Sequence, residues 1–308
     1  MKFEIIQAKK FGQFLKNTFS SNERRQYTFF IILFSILAII ARLIMSTNIW
    51  SQLIFHGLLI GIICVLIPAL LFYLQIKKVL LQDCILIAAI IFLIVDPTQS
   101  LYLTALMSVI ALGIKLFSRG KMWTRANPAL IGISLVTIFF AIFSFKNLTV
   151  SVDLSWWGTS FFKLIGDYNL TLSALILITF GLYFAYKNNK LRIVVYSFIF
   201  LLILWILHYA ILEHVRNFKE DMSSVLELVL SGTLSFGLFT ILAHPHTSPH
   251  KIENQIFYAL MFSLILAILY FYKIDNFVLY SLLAANIFYV AIAALPREMK
   301  FKFPKFRK

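Results

Sequence analysis

Residues 231–249 read SGTLSFGLFTILAHPHTSP, and the rest of the chain is arranged around them. The stretch opens as a short apolar segment with Gly232 and Gly237 and closes in prolines, hydroxyls and histidines. Two full-length apolar segments follow soon after, Ile256–Tyr272 and Phe277–Leu295. A polar, proline-rich turn at the end of a short apolar segment marks a broken or shortened membrane helix, because backbone groups released from the helix need partners that lipid does not supply. An earlier stretch has the same plan. Asp96-Pro97-Thr98-Gln99-Ser100 closes one apolar run, Leu101–Phe117 follows, and Asn127-Pro128-Ala129 opens the next.

Composition sets the class. Of 308 residues, 61% are hydrophobic and only 13% charged, against about a quarter charged in a soluble domain. The mean hydropathy is +0.88. The chain is therefore an all-α, polytopic integral membrane protein. Its 32 phenylalanines suit lipid-facing helices. Cys64 and Cys84 lie inside apolar runs with no metal or disulfide spacing and read as small buried hydrophobes.

In chain order, Met1–Gln26 is basic and too long and charged for a cleaved signal peptide. Phe11, Leu15 and Phe19 share a helical face, so this segment is either a helix on the membrane surface or a basic arm without fixed structure. Ten apolar segments follow: Tyr27–Met45, Leu53–Leu74, Val79–Val95, Leu101–Phe117, Pro128–Phe143, Leu170–Tyr186, Ile193–Ile211, Leu226–Ala243, Ile256–Tyr272 and Phe277–Leu295. Most approach the roughly 20 residues that cross a bilayer. The fifth and eighth are short and abut prolines, so eight spans with two re-entrant segments is the alternative.

Charge tests the count. The basic connections alternate along the chain: the N-terminus, Gln75–Lys78, Ser118–Arg125, Lys187–Arg192 and the tail Pro296–Lys308. The histidine loop His244–Gln255 falls on the same side and is weakly basic. Ten crossings with both termini cytoplasmic place every strongly basic connection inside, as expected for a bacterial inner-membrane protein. The net charge of +15 is then largely an orientation signal rather than a nucleic-acid surface.

The segments fall into two groups of five, 27–143 and 170–295, flanking an outside loop at 144–169. Asp96-Pro97-Thr98 matches His244-Pro245-His246-Thr247 in position, and Asn127 and Asn286 each sit at or inside the following span. Five crossings per copy is odd, so the copies would be inverted, an architecture that places a site near the midplane between interrupted helices.

Four stretches, in order, resemble one family: VDPTQSLYLTALMSVIAL, FSRGKMWTRANPALIGISLV, DYNLTLSALILITFGLYFAYKNNKLRI and GLFTILAHPHTSPHKIENQIFYALMFSLILAILYF. They are similar to the NqrB/RnfD family, the large membrane subunit of sodium-pumping NADH:quinone oxidoreductase and of the Rnf complex. The resemblance runs from about Tyr27 to Pro296. It implies ten helices, a flavin (FMN or riboflavin), partner subunits of a membrane redox complex, and electron transfer coupled to Na⁺ or H⁺ movement. By this resemblance Asp96, Asn127, Pro128, Thr247, Ser248 and Asn286 would line the cofactor region. The family's outside loop carries Asp-x-x-Ser-Gly-Ala-Thr, whose Thr is esterified to FMN. Here residues 152–160 read VDLSWWGTS, which keeps Asp, Ser, Gly and Thr in order but lacks the Gly-Ala-Thr core. Thr159 is the flavinylation candidate, and the Trp156-Trp157 pair also reads as an interfacial aromatic belt. His244 stands where the family has Asp.

Other chemistry is sparse. His244, His246 and His250 have ligand-like spacing, but few acidic groups are near. Ser231-Gly232-Thr233 reads as a helix-packing surface. Among ionisable residues in the spans, Asp83, Lys115 and Glu227 sit near ends, and His56 and His208 near the outside interface. No P-loop or G-x-G-x-x-G is present, which argues against direct NADH binding. A redox-free transporter or channel on the same scaffold is the competing class.

Overall fold

A computed structural model describes residues 27–33, 35–36, 39, 50–74, 81–96, 99–117, 127–143, 172–212, 233–244, 247–274 and 276–294. Among these residues the protein is all-helical. We number the segments α1 (27–33), α2 (Trp50–Tyr73), α3 (Leu81–Ile94), α4 (Leu101–Phe117), α5 (Pro128–Phe143), α6 (Leu172–Lys187), α7 (Leu191–Leu212), α8 (Thr233–Leu242), α9 (Ile252–Phe271) and α10 (Phe277–Ala294). Each falls on one of the apolar segments of the sequence. Bounds agree at α4 and α5, where Ser100 precedes the first and Pro128 occupies the first turn of the second. A proline there loses no helical hydrogen bond, because that amide has no partner in any helix. Helix α9 begins at Ile252, four residues before the expected Ile256. Its polar opening, Glu253-Asn254-Gln255, is compatible with a first turn, where an acidic group meets the positive helix end.

Three helices are long and apolar enough to cross a membrane by length and composition: Ser51–Leu71, Leu191–His208 and Ile252–Phe271. The other described helices are shorter. Large apolar side chains lie on the outside of the bundle, such as Ile54, Phe55, Leu58, Leu66 and Leu70 on α2 and Leu202, Ile203, Ile206 and Leu207 on α7. Surfaces of this kind suit lipid rather than water.

Helices α6 and α9 end alike. Lys190 N–H returns to the Ala185 carbonyl and Asn189 N–H to Tyr186, while Ile274 returns to Leu269 and Lys273 to Tyr270. Asn189 and Lys273 take the left-handed conformation that this closure needs, with φ of 56° and 53°. Two helices carry a wider π turn, Ile62–Leu66 in α2 and Gly237–Leu242 in α8.

In the first half α2 packs on α3 and α4, and α5 on α3 and α4; in the second, α7 packs on α8 and α9, and α10 on α8 and α9. The halves meet where α5 packs on α10. One cluster of buried side chains runs through both, including Ile91, Met107, Leu130, Ile133, Phe236, Phe262 and Leu282. Gly132 lets α4 and α5 close up: a β-carbon there would lie 2.7 Å from the Met107 carbonyl oxygen and 2.9 Å from Ala111.

Candidate functional site

The two proline turns are built alike. In the first, Gln99 N–H donates to the Asp96 carbonyl at 2.9 Å. In the second, Thr247 and Ser248 N–H donate to the His244 carbonyl at 3.3 and 3.1 Å, and Ser248 Oγ donates to the same oxygen at 2.6 Å. Each turn leaves main-chain carbonyls outside any helix, and each is caught by a side chain from a neighbouring segment.

For the first turn that side chain is His56 of α2, 3% exposed. Its Nε2 lies 2.7 Å from the Gln99 carbonyl oxygen, and its Nδ1 lies 3.1 Å from Thr104 Oγ1. A carbonyl only accepts, so Nε2 carries the proton and Nδ1 accepts from the hydroxyl. Sequence reading placed His56 among isolated ionisable groups; it is a clamp on the Asp96 turn.

For the second turn it is Lys190, which sequence reading counted only as part of a basic connection. Lys190 is 1% exposed. Its ammonium donates to the carbonyls of Ser248 at 3.1 Å and Pro249 at 2.6 Å, and to His250 Nδ1 at 3.3 Å. A buried ammonium is costly unless its donors are matched, and three acceptors match three protons. Gln255 reinforces the joint: its Nε2 donates to the carbonyls of Asn189 at 3.0 Å and Pro249 at 3.1 Å. The His244 ring meets the Tyr27 ring edge-on at 4.6 Å between centroids. No sequence pattern announces Lys190 or Gln255, because their partners are backbone carbonyls.

Asn127 is buried and caps α5, its Oδ1 accepting from Ala129 N–H at 3.1 Å and Leu130 N–H at 3.4 Å. The cap uses one end of the amide; Nδ2 is buried and makes no hydrogen bond among the described residues. Asn286 lies inside α10, donating from Nδ2 to the Leu282 carbonyl at 2.9 Å, and its buried Oδ1 makes no hydrogen bond among the described residues. The same holds for the buried Thr247 Oγ1. Pro128 forms the first residue of α5.

These residues are not one constellation. Asn127 and Asn286 sit on helices that pack together, and Thr247 and Ser248 belong to the turn held by Lys190. Asp96 is elsewhere. It precedes α4, while Asn127 follows it and opens the antiparallel α5, so roughly 25 Å of helix separates their levels. Asp96 and Asn127 thus stand toward opposite ends of α4. Thr159 and His246 lie outside the described residues. Among the described residues no group of three or more His, Cys, Asp or Glu side chains is placed to hold a metal ion.

No protein-family model matches the chain, and no curated protein matches it.

Proposed function

We propose that the chain is the membrane subunit of a flavin-dependent electron-transport complex resembling Rnf and Nqr, coupling electron transfer to Na⁺ or H⁺ translocation. In this reading it has ten transmembrane helices in two inverted five-helix halves, both termini cytoplasmic, with other redox subunits as partners. The observation that carries the reading is three buried polar atoms that make no hydrogen bond among the described residues, Asn127 Nδ2, Asn286 Oδ1 and Thr247 Oγ1. A buried polar group without a partner costs about 1–3 kcal/mol, so such a set calls for a ligand or water. Asn127 and Asn286, on helices that pack together, offer a donor and an acceptor, and Thr247 in the second turn offers a hydroxyl. That fits the polar edge of an isoalloxazine, whose rings are apolar enough to lie between helices. When bound, the flavin would supply one- and two-electron transfer.

The topology has independent support. Side chains that the charge rule puts on the inner side meet one another: Asp83 with Lys115, Gln82 with Thr28, Tyr27 with His244, and Lys190 with His250. Those assigned outside do the same: His56 with Gln99, and His208 stacked on Phe271 at 3.7 Å. The matching of the Asp96 and His244 turns supports the repeat.

The altered loop at 152–160 favours a second reading, a redox-free transporter on this scaffold. A visible spectrum of the purified protein separates the two. Flavin released on denaturation supports the redox reading through Asn127, Thr247 and Asn286. Flavin fluorescence that stays with the denatured band and disappears in Thr159→Ala identifies a covalent site. A colourless protein with its partner subunits present overturns the redox reading.

A further inference from the structure

Three polar side chains share one face of α4, among apolar neighbours such as Met107, Ala111 and Leu112. Thr104, Ser108 and Lys115 are spaced by four and seven residues, which the helical period sets in one line. Thr104 and Ser108 are fully buried, and roughly 16 Å of helix rise separates Thr104 from Lys115. Side chains of α2 and α3 extend the line. At one end Thr104 meets His56, and His56 meets the Gln99 carbonyl. Midway, Cys64 in the π turn of α2 lies with its Sγ 3.9 Å from the Ser108 carbonyl, and the buried Ser108 hydroxyl makes no hydrogen bond among the described residues. Cys84 on α3 is fully buried and follows Asp83 in the chain. At the other end Lys115 Nζ and Asp83 Oδ2 form a 2.7 Å ion pair.

Lipid-spanning helices pack well with apolar residues alone, so polar and ionisable groups inside them usually mark a pathway. Here titratable groups stand at both ends. Between them lie hydroxyls and thiols, which both donate and accept.

We propose that this face of α4, with His56, Cys64, Cys84 and Asp83, is a proton path through the first five-helix half, closed at its inner end by the Lys115–Asp83 pair. The proposal rests on the membrane topology proposed above and not on the flavin. A proton entering from outside adds to His56 Nδ1, displacing the Thr104 hydroxyl bond, and the proton on His56 Nε2 is retained. Transfer onward runs through reorienting hydroxyls and thiols, with water in the gaps, to the Asp83 carboxylate. One proton enters and one leaves; only N–H, O–H and S–H bonds change. The Lys115 charge both occupies Asp83 and repels an arriving proton.

The test uses the purified full-length chain in liposomes containing a pH-sensitive dye, under an inside-negative potassium diffusion potential. Lys115→Gln should raise proton entry about tenfold over wild type by removing one charge from the mouth. Lys115→Met provides a second variant of the same pair. Adding Ser108→Ala or His56→Phe should return the flux to that of protein-free vesicles, whereas adding Ser281→Ala, on α10, should leave it raised. Both Lys115 variants remaining at the vesicle baseline while monodisperse would overturn the path. So would a leak that survives Ser108→Ala and His56→Phe, or one carried by Na⁺. Flavin content of the same preparation is read separately: a flavin-free protein with this leak keeps the path and sinks the redox reading, and a flavin-bearing protein without it does the reverse.

Discussion

The ammonium of Lys190 donates a 2.6 Å hydrogen bond to the carbonyl of Pro249, 59 residues further along the chain. This bond and its two companions join the α6–α7 connection to the turn that ends at α9. Lys190→Met keeps the stem length and removes all three donors, leaving the Ser248 and Pro249 carbonyls short of partners. The expected loss is about 2–3 kcal/mol, in line with hydrogen bonds to a charged group. Denaturant unfolding in detergent measures it, and faster proteolysis between residues 244 and 250 should accompany it. A variant as stable and protease-resistant as wild type would show that the joint contributes nothing.

His56→Phe fills a similar volume but leaves the Gln99 carbonyl without its donor. Stability should fall by about 1–3 kcal/mol, the usual cost of an unmatched buried acceptor. The Lys190 joint lies in the other half, so combining His56→Phe with Lys190→Met should give additive losses. A clearly non-additive result would mean that the two turns communicate.

Asn127 separates capping from ligand binding. Asn127→Asp keeps the oxygen that accepts from Ala129 and Leu130 and adds a negative charge at a helix start, where it is favoured. It removes the amide donor. The protein should therefore stay as stable as wild type while its flavin content falls. Asn127→Ala loses the cap as well and should cost about 1 kcal/mol. Flavin content per polypeptide and an unfolding curve, measured on both variants, read the two roles apart.

Two glycines of the α4–α5 pair differ in surroundings. A methyl at Gly132 would press on the Met107 carbonyl and Ala111, and Gly132→Ala should destabilise by about 1–3 kcal/mol through overpacking. Gly113 on α4 has open space around it. Gly113→Ala should be neutral or stabilise by up to about 1 kcal/mol, from the smaller entropy lost on forming the helix. Thermal unfolding of both variants checks the contrast.

Helix positions were legible because apolar runs and prolines are local features. Leu101–Phe117 and Pro128–Phe143 could be read directly, since a polar turn precedes one and Pro128 opens the other. The turns at Asp96 and His244 were also visible, as Asp-Pro and proline-hydroxyl patterns, whereas Asn127 was visible only as the start of a run and not as its cap. Lys190 was not. In sequence it is one cation in a basic connection, and only the fold of the 244–250 turn over it makes it buried. His56 and Gln255 were obscured for the same reason: their partners are carbonyls of residues far along the chain, and a carbonyl carries no side-chain signature. The separation of Asp96 from Asn127 depends on which end of α4 each occupies, and shared polarity alone cannot show that.

The wide turn at Gly237–Leu242 gives α8 a mechanical property. A π turn holds about one more residue than an α turn of the same kind, and each residue of an α-helix corresponds to about 100° of rotation. Converting this turn to ordinary α geometry would rotate one end of α8 against the other by nearly that angle. The face that α8 turns toward α10 is thus set by the register of this one turn.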